Sequence, residues 1–407
     1  MPEAYLEENP QGLTSAELVV AIPSYREAAL IGYPVAQAAA GLSRFFGQHK
    51  SVIINCDNNS DDGTKEAFFA ADTGDIPQIY LSTPPGTRGK GNNFHNLFRK
   101  VVELGAQAVV VVDADLKSIT PSWIKHLCEP LFNDFGYVAP LYVRHKYDGT
   151  ITNSIAYPLT RALYGRRVRQ PIGGDFGFSG ELARIYLSSN TWSEAVSQFG
   201  IDIWMTTLAM NNNIPICQSY MGRPKIHKPK DPGADLGPMF SQVVGTIFDL
   251  MIQSTGYWMR VKWSRPTSIY GFGLGELEMP PPVKVSTEKL AENFKRGFSQ
   301  YHQVWQKVLN PEIMNKVEEI SELPEEQFDF PATVWAKLLY DFAVAYHDET
   351  VARGELLDSL IPLYFGKTLS YVRKTDRMSI QQAEEFIESE CMIFEESKPY
   401  LLERWGA

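Results

Sequence analysis

The sequence predicts an α/β protein, with a mostly parallel, Rossmann-like sheet over about residues 1–275 and an all-helical C-terminal region over 276–407. Three observations predict it. Val109-Val-Val-Val112 is a β-branched run of the kind buried on both faces of a parallel sheet, and it exits into two carboxylates, Asp113 and Asp115. Strand-like and helix-like segments alternate on either side of it, as βαβ units do. Beyond Pro280-Pro-Pro282 the pattern turns helical throughout.

Taken in order, Glu17–Glu27 reads as a first strand that stops at Pro23, and about Ala28–Phe46 as a helix whose alanines (36, 38, 39, 40) allow close packing. Ser51–Cys56 is the second strand. It runs into Asp57-Asn-Asn-Ser-Asp-Asp-Gly-Thr64, a turn in which Asp62 or Thr64 is placed to cap the next helix. Pro77–Leu81 is the third strand. A basic glycine loop, Gly86-Thr-Arg-Gly-Lys-Gly91, leads to an amphipathic helix from about Asn92 to Leu104 and then to the valine strand. The loop is neither a Walker A sequence, since Gly91 follows Lys90, nor a G-x-G-x-x-G fingerprint. Beside two acidic groups at a strand exit, its Arg88 and Lys90 read as phosphate contacts.

After Asp115 the alternation loosens. Tyr137–Val143 reads as a strand, Asp148–Thr152 as the start of a helix running through Tyr164, and Gln170–Gly180 as a loop whose four glycines permit close backbone approach to a ligand. Asp202 opens a helix ending near Asn211, and a strand from Ile214 to Tyr220 enters Gly222–Lys230, which holds His227. A lone histidine in a Pro- and Lys-rich loop reads, by itself, as surface decoration. Residues 236–256 read as a long helix, and Gly271–Gly275 as a break. In the tail, Trp335, Leu338, Leu339, Phe342 and Tyr346 form an amphipathic stripe. A further helix carries Leu360, Tyr364, Leu369 and Tyr371, with Pro362 in its first turn or at a kink.

Composition narrows the function. A net charge of −10 argues against a general binder of nucleic acid or anionic membrane. No apolar run reaches membrane-spanning length, and the acidic N-terminus has no signal-peptide pattern. The four cysteines show no CxxC spacing, which argues against zinc and a disulfide framework and fits a reducing cytoplasm. Two carboxylates at the C-terminal end of a parallel strand are costly unless a cation neutralises them. Mg²⁺ or Mn²⁺ takes carboxylate oxygens together with substrate phosphates.

Together these features resemble the GT-A glycosyltransferases, which use nucleotide-diphosphate sugars. Among them the chain looks most like the retaining mannosylglycerate synthases and glucosyl-3-phosphoglycerate synthases, from about Leu18 to Leu250. The resemblance implies a nucleotide-binding half over about 15–116 and an acceptor and metal half over about 117–256. Pro23, Tyr25 and Glu27 would hold the nucleoside, with Glu27 on the base, and Asp57 would contact base or ribose. Gly89 and Lys90 would meet the diphosphate. Asp115 and His227 would bind the metal, while Asp113, with Ala114, would reach ribose or a metal-bound water. Gly173, Gly174 and Asp175 match the loop lining the donor sugar, and Asp202 the acid that receives its hydroxyls. Asp148, Gly149, Thr150, Ile151 and Thr152 match the segment that grips glycerate, through backbone amides at a helix start and the Thr152 hydroxyl. Lys90, Asp115, Asp202 and Thr152 are the catalytic set so implied.

The implied reaction moves glucose, or mannose, to D-glycerate or 3-phosphoglycerate with retention. In the resembling families no carboxylate nucleophile is firmly placed and attack on the face the diphosphate leaves is favoured, which the resemblance implies here; Asp175 and Asp202 are the carboxylates this chain could offer as a nucleophile. Thr150 stands where the phosphoglycerate-using relatives tend to carry a basic residue, which favours unphosphorylated glycerate, although Arg144, His145, Arg166 and Arg167 are near enough to hold a phosphate. The alternatives are a transferase with another small-molecule or glycoside acceptor, a sugar nucleotidyltransferase, or a non-catalytic sugar-nucleotide binder. The nucleotidyltransferase lacks its usual glycine loop, because Pro-Ser-Tyr-Arg-Glu stands after the first strand. The aromatic stripes of the tail read as core or as the interface of a homodimer.

Overall fold

The computed structural model describes residues 5–227, 237–271 and 278–406. The end of the basic loop at 228–230, residue 236 of the expected long helix, and Gly273 and Gly275 of the glycine break lie outside the described residues. In chain order the first elements are β1 (Leu6–Glu8), β2 (Leu18–Ser24), α1 (Gly32–Phe45), β3 (Ser51–Asp57), α2 (Thr64–Phe69), β4 (Gln78–Ser82), α3 (Lys90–Leu104) and β5 (Ala108–Val111). Then come α4 (Pro121–Cys128), β6 (Tyr137–Val143), α5 (Tyr157–Tyr164), β7 (Arg166–Arg167), β8 (Phe176–Ser179), α6 (Gly180–Ser188), α7 (Glu194–Ser197), α8 (Ile201–Asn211) and β9 (Ile216–Pro224). The remainder is α9 (Gly237–Gln253), α10 (Thr255–Trp258), β10 (Arg265–Pro266), β11 (Ser268–Tyr270), α11 (Thr287–Val308), α12 (Pro311–Ser321), α13 (Ala332–His347), α14 (Arg353–Thr375) and α15 (Ile380–Arg404).

The chain divides into two compact units. The first comprises Met1–Arg144, Val168–Pro229 and Thr267–Pro281; the second comprises His145–Arg167, Lys230–Pro266 and Pro282–Ala407. The first unit holds a nine-stranded sheet in the order β1-β4-β3-β2-β5-β8-β6-β9-β11. Seven strands run parallel, while β1 and β8 run against their neighbours. This is the mostly parallel, Rossmann-like sheet that the sequence predicts. Strands β2, β3 and β5 are its centre, buried on both faces as their β-branched runs require. Each fully buried valine contributes about 1.5–3 kcal/mol, so a charge at Val110 would unfold the unit.

The antiparallel β8 is what builds the crevice. Val111 pairs with Phe176, so the segment entering β8 abuts the residues leaving β5. The sequence pattern did not show β8, because Phe176-Gly-Phe-Ser179 has no β-branched run. Its glycines answer to backbone: a Cβ on Gly177 would lie 2.3 Å from the Leu127 carbonyl oxygen, and one on Gly180 1.8 Å from that of Ala106. The close approach expected of this loop toward a ligand is therefore made, at these positions, by the protein's own backbone.

Expected element ends shift by one to four residues. Helix α1 begins at Gly32, β5 at Ala108, and α3 at Lys90 instead of Asn92. The position before α2 belongs to Gly63, so neither Asp62 nor Thr64 is its formal cap. Asp62 still accepts the Thr64 amide at 3.1 Å, and Thr64 Oγ1 accepts that of Glu27 at 2.9 Å.

The second unit is helical, and it claims residues 145–167 and 230–266, which the sequence assigned to the first domain. The reason is burial. Thr150–Tyr164 is buried on every side, and a helix buried all round needs helices around it. Its first turn is a π-helix, Thr152–Ala156, and Trp335 Nε1 donates to the Ser154 carbonyl at 2.7 Å. The aromatic stripe of α13 is buried as its period implies. Pro362 lies inside α14 and not in its first turn, and it cannot donate to the Asp358 carbonyl one turn back; the neighbouring Ser359 carbonyl accepts Trp305 Nε1–H at 3.0 Å. Among the described residues no helix is long and apolar enough to cross a membrane.

Candidate functional site

The parallel strands of the first unit point their C-terminal ends at one edge, and the residues leaving them meet there. Lys90 is the first residue of α3. Its Nζ lies 3.1 Å from both oxygens of Asp202, in the first turn of α8, and 3.5 Å from Asp113 Oδ1. The loop before it is set by packing. A Cβ on Gly89 would lie 2.2 Å from the Ser197 carbonyl oxygen, and one on Gly91 1.9 Å from that of Val196. Gly91 N donates to Gln198 O at 3.0 Å, and Gln198 Nε2 to Arg88 O at 2.9 Å. The glycines that flank Lys90 thus clamp its loop to the segment ahead of Asp202, and the pair is positioned as one piece.

Burial pushes the Lys90 ammonium down, but Asp202, Asp113 and Asp175 together outweigh it and hold it above the ordinary lysine value. Burial also raises the Asp202 carboxyl, against the pull of Lys90. The site keeps an open side: the side chains of Asp113, Lys90 and Asp202 are 25%, 17% and 13% exposed.

Asp115 and His227 come together through backbone. Two residues past Asp115, Lys117 N donates to Ile226 O at 2.8 Å, and Ile226 N donates to Ser118 Oγ at 2.9 Å. His227 follows directly. The backbone thus ties the segment after Asp115 to the segment before His227, and a carboxylate and an imidazole are residue types that could hold a divalent ion which takes its other ligands from phosphate and water. Among the described residues, no group of three or more His, Cys, Asp or Glu side chains is gathered for a metal.

Several expected contacts prove to be floor and not surface. Asp57 is 0% exposed, and its oxygens accept Ser24 Oγ at 2.6 Å, Ser60 N at 2.6 Å, Ser60 Oγ at 2.8 Å and Tyr80 Oη at 2.9 Å. Four donors saturate a carboxylate, so it shapes the loop instead of meeting base or ribose. Asp175 is likewise 0% exposed, accepting the Asp113 amide at 2.9 Å, Lys225 Nζ at 2.8 Å and the Tyr142 hydroxyl. It stands behind Asp113, out of a sugar's reach. The side chain of Ala114 is in the core. Gly173 and Gly174 press on Pro140 and Asp113.

Pro23, Tyr25 and Glu27 stay half-buried at the exit of β2, where Arg26 and Arg88 lie over the Tyr25 ring at 5.5 and 5.1 Å. Lys225, Tyr142 and Arg144 were not singled out as site residues from the first unit's sequence, although Arg144 was noted as a phosphate candidate. The partners of Lys225 lie 50 and 112 residues away, so no local pattern marks it.

The expected acceptor segment belongs to the second unit. Gly149 takes a positive φ of 70° and Asp148 is half-buried. Thr150 is buried with its Oγ1 2.5 Å from Tyr364 Oη, Ile151 is buried, and Thr152 is 2% exposed. The Thr152 hydroxyl is thus enclosed by protein, contrary to the contact expected of it. Asp148 and Gly149 are only half-buried, and the Asp148 amide donates to His145 O at 2.9 Å.

No protein-family model matches the chain, and no curated protein sequence matches it. Among solved structures it is similar to glucosyl-3-phosphoglycerate synthase from Mycobacterium tuberculosis. In complex with Mn²⁺, UDP and phosphoglyceric acid, that enzyme matches at 22% identity over 58% of this chain and 78% of its own, with a TM-score of 0.45. Its complex with Mg²⁺ and UDP matches at 23% identity over 58% and 79%, TM-score 0.45. Its complex with Mn²⁺, UDP-glucose and glycerol 3-phosphate matches at 23% over 58% and 80%, TM-score 0.44.

Proposed function

We propose that this protein is a divalent-metal-dependent hexosyltransferase of the retaining GT-A kind. It would move glucose or mannose from a nucleotide-diphosphate sugar to glycerate or 3-phosphoglycerate in the cytoplasm. The observation that carries the reading is the charged cluster at the sheet edge. Lys90 at a helix start faces Asp202 at another helix start, close to Asp113 at the exit of the valine strand.

Each group then has a task. Lys90 and the N-terminus of α3 oppose the charge that grows on the departing diphosphate. The metal, held by Asp115 and His227 when bound, supplies further neutralisation of that leaving group. Asp202, at the open side, accepts hydrogen bonds from sugar hydroxyls, and Asp113 accepts from ribose or water. Glu27 and Tyr25 face the nucleoside. In the transfer the anomeric C–O bond to the diphosphate breaks, a bond to the acceptor hydroxyl forms on the same face, and the hydroxyl proton passes to the leaving phosphate. The burial of Asp175 supports this over a double displacement, because a nucleophile must touch the anomeric carbon.

The test is product formation from UDP-, GDP- and ADP-glucose and GDP-mannose. Each is offered with D-glycerate, with 3-phosphoglycerate and without acceptor, in Mg²⁺, Mn²⁺ or EDTA. An α-linked product in metal alone is expected. Donor hydrolysis without transfer to either acceptor would keep the transferase and discard glycerate. Neither binding nor turnover would end the reading.

A further inference from the structure

The two carboxylates of Asp113-Ala114-Asp115 are chemically alike, and a divalent ion offered both would take both. The structure gives one of them a resident cation. Lys225 Nζ donates at 2.8 Å to Asp113 Oδ2, to Gly173 O and to Asp175 Oδ2, three bonds that use all three N–H groups of an ammonium. Its side chain is 3% exposed, with the Tyr142 ring 5.2 Å away, so it has no route to swing aside into water.

The rest of the enclosure is equally tight. Asp175 accepts the Asp113 amide at 2.9 Å, fixing the backbone of the residue whose carboxylate Lys225 holds. Gly174, at φ +82°, passes so close that a Cβ there would lie 2.5 Å from Asp113 Oδ2. Arg144, over the Tyr142 ring at 4.9 Å, adds positive charge behind the site. Asp113 is thus held from behind at its amide and at one oxygen, and only its Oδ1 side is turned toward Lys90.

We infer that Lys225 is a positioning residue that makes the two carboxylates unequal: it keeps Asp113 from chelating the divalent ion, reserves it as a hydrogen-bond acceptor, and leaves the metal to Asp115 and His227. This rests on the metal-site reading proposed above. An ion seeking Asp113 Oδ2 would have to displace a buried ammonium whose three hydrogen bonds are all made. It would also meet that ammonium's repulsion across a single carboxylate. With the ammonium gone, Asp113 turns into a third metal ligand, and the diphosphate loses the geometry built to receive it. The consequence separates this role from a structural one. Loss of Lys225 strengthens binding of the metal alone while weakening the sugar nucleotide, whereas loosened packing would weaken both.

The experiment is Mn²⁺ binding by calorimetry, without nucleotide, to the full chain and to Lys225→Met, Lys225→Arg and Lys225→Met/Asp113→Asn. Donor KM and kcat are measured alongside. Lys225→Met is expected to bind Mn²⁺ about tenfold more tightly and to raise donor KM by about tenfold, each step worth about 1.4 kcal/mol. Lys225→Arg should stay near the parent, and the added Asp113→Asn should abolish the gain in Mn²⁺ affinity. Should Lys225→Met not fold, Lys225→Met/Asp175→Asn, which removes a carboxylate with the ammonium, is read in its place with the same expectation. Unchanged or weaker Mn²⁺ binding in the folded variant overturns the inference and leaves the transferase reading standing. A parent protein that binds no Mn²⁺, with or without nucleotide, removes both.

Discussion

Both units bury charge, and they do so differently. In the helical unit Lys367 and Glu390 form a matched, enclosed pair, while Arg161 is shared by two carboxylates of which Glu388 is 43% exposed. Lys367 meets Glu390 at 2.5 Å deep between α14 and α15, and Arg161 meets Glu395 at 2.8 Å and Glu388 at 2.5 Å. In the sheet unit Asp113, Asp175 and Asp202 share Lys90 and Lys225, and the cluster opens to solvent on one side. Desolvation penalises both arrangements, and the closed pairs return the cost as specific helix packing. The open cluster holds more carboxylates than the ammoniums they touch, at the edge where a parallel sheet receives ligands. Buried charge is therefore no mark of a site by itself; what sets the open cluster apart is its place at the strand exits of the parallel sheet.

The sharpest way to break that contrast is to strike the open cluster. Asp115→Ala, or EDTA, is expected to lower initial transfer rates at least as much as loss of an electrostatic stabiliser does, about 10²–10³-fold, with thermal unfolding nearly unchanged. Lys90→Ala should cost a similar factor, since it removes the cation facing the leaving group. Full turnover in EDTA, or a Lys90→Ala variant with parental kcat, would show that the cluster is structural like its counterpart.

What the sequence made legible follows the same division. The central strands were readable because a strand buried on both faces carries a continuous apolar run, as Leu18–Ile22, Val52–Ile54 and Ala108–Val112 do. The stripe of α13 was readable for the same reason, at period 3.6. Lys90, Asp113 and Asp115 were found because a strand exit carrying charge is locally odd. What stayed hidden depends on distant partners. Asp57 and Asp175 look like ligand contacts until Ser24, Tyr80, Tyr142 and Lys225 claim them. The helix through Tyr164 was visible, but its membership in the helical unit depends on neighbours such as Trp335, 181 residues from Ser154.

The converse strike is on a closed pair. Lys367→Met leaves Glu390 buried without its ammonium, and urea unfolding is expected to show about 3–5 kcal/mol lost. Donor affinity of the folded fraction should not change. Lys367→Met with Glu390→Leu should recover most of that loss, because two apolar groups of similar volume carry no desolvation penalty. A double variant as unstable as the single one would mean that the pair supplies specific stability beyond mutual neutralisation.

A smaller effect probes a lysine of the helical unit that neutralises nothing directly. Lys398 Nζ donates to the carbonyls of Trp258 and Val261 at 2.6 Å each, and burial pushes its pKa down from 10.5 to about 8, against a weaker upward pull from Glu395. The folded state therefore favours the neutral amine, and between about pH 8 and 10.5 the unfolded chain binds more protons than the folded one. Stability must then rise with pH through that window and fall as pH drops toward 8. From pH 7 to 9 the gain is about 1 kcal/mol, from a shift worth about 1.4 kcal/mol per unit. Tyrosines raised by burial, such as Tyr340, oppose it only at higher pH. Urea midpoints at pH 7 and 9 for the parent and Lys398→Met isolate the contribution, since methionine cannot titrate and its lost hydrogen bonds are a constant offset. Parallel midpoints would mean that the amine stays charged when buried, held by Glu395, and that the helical unit too keeps an ion pair there.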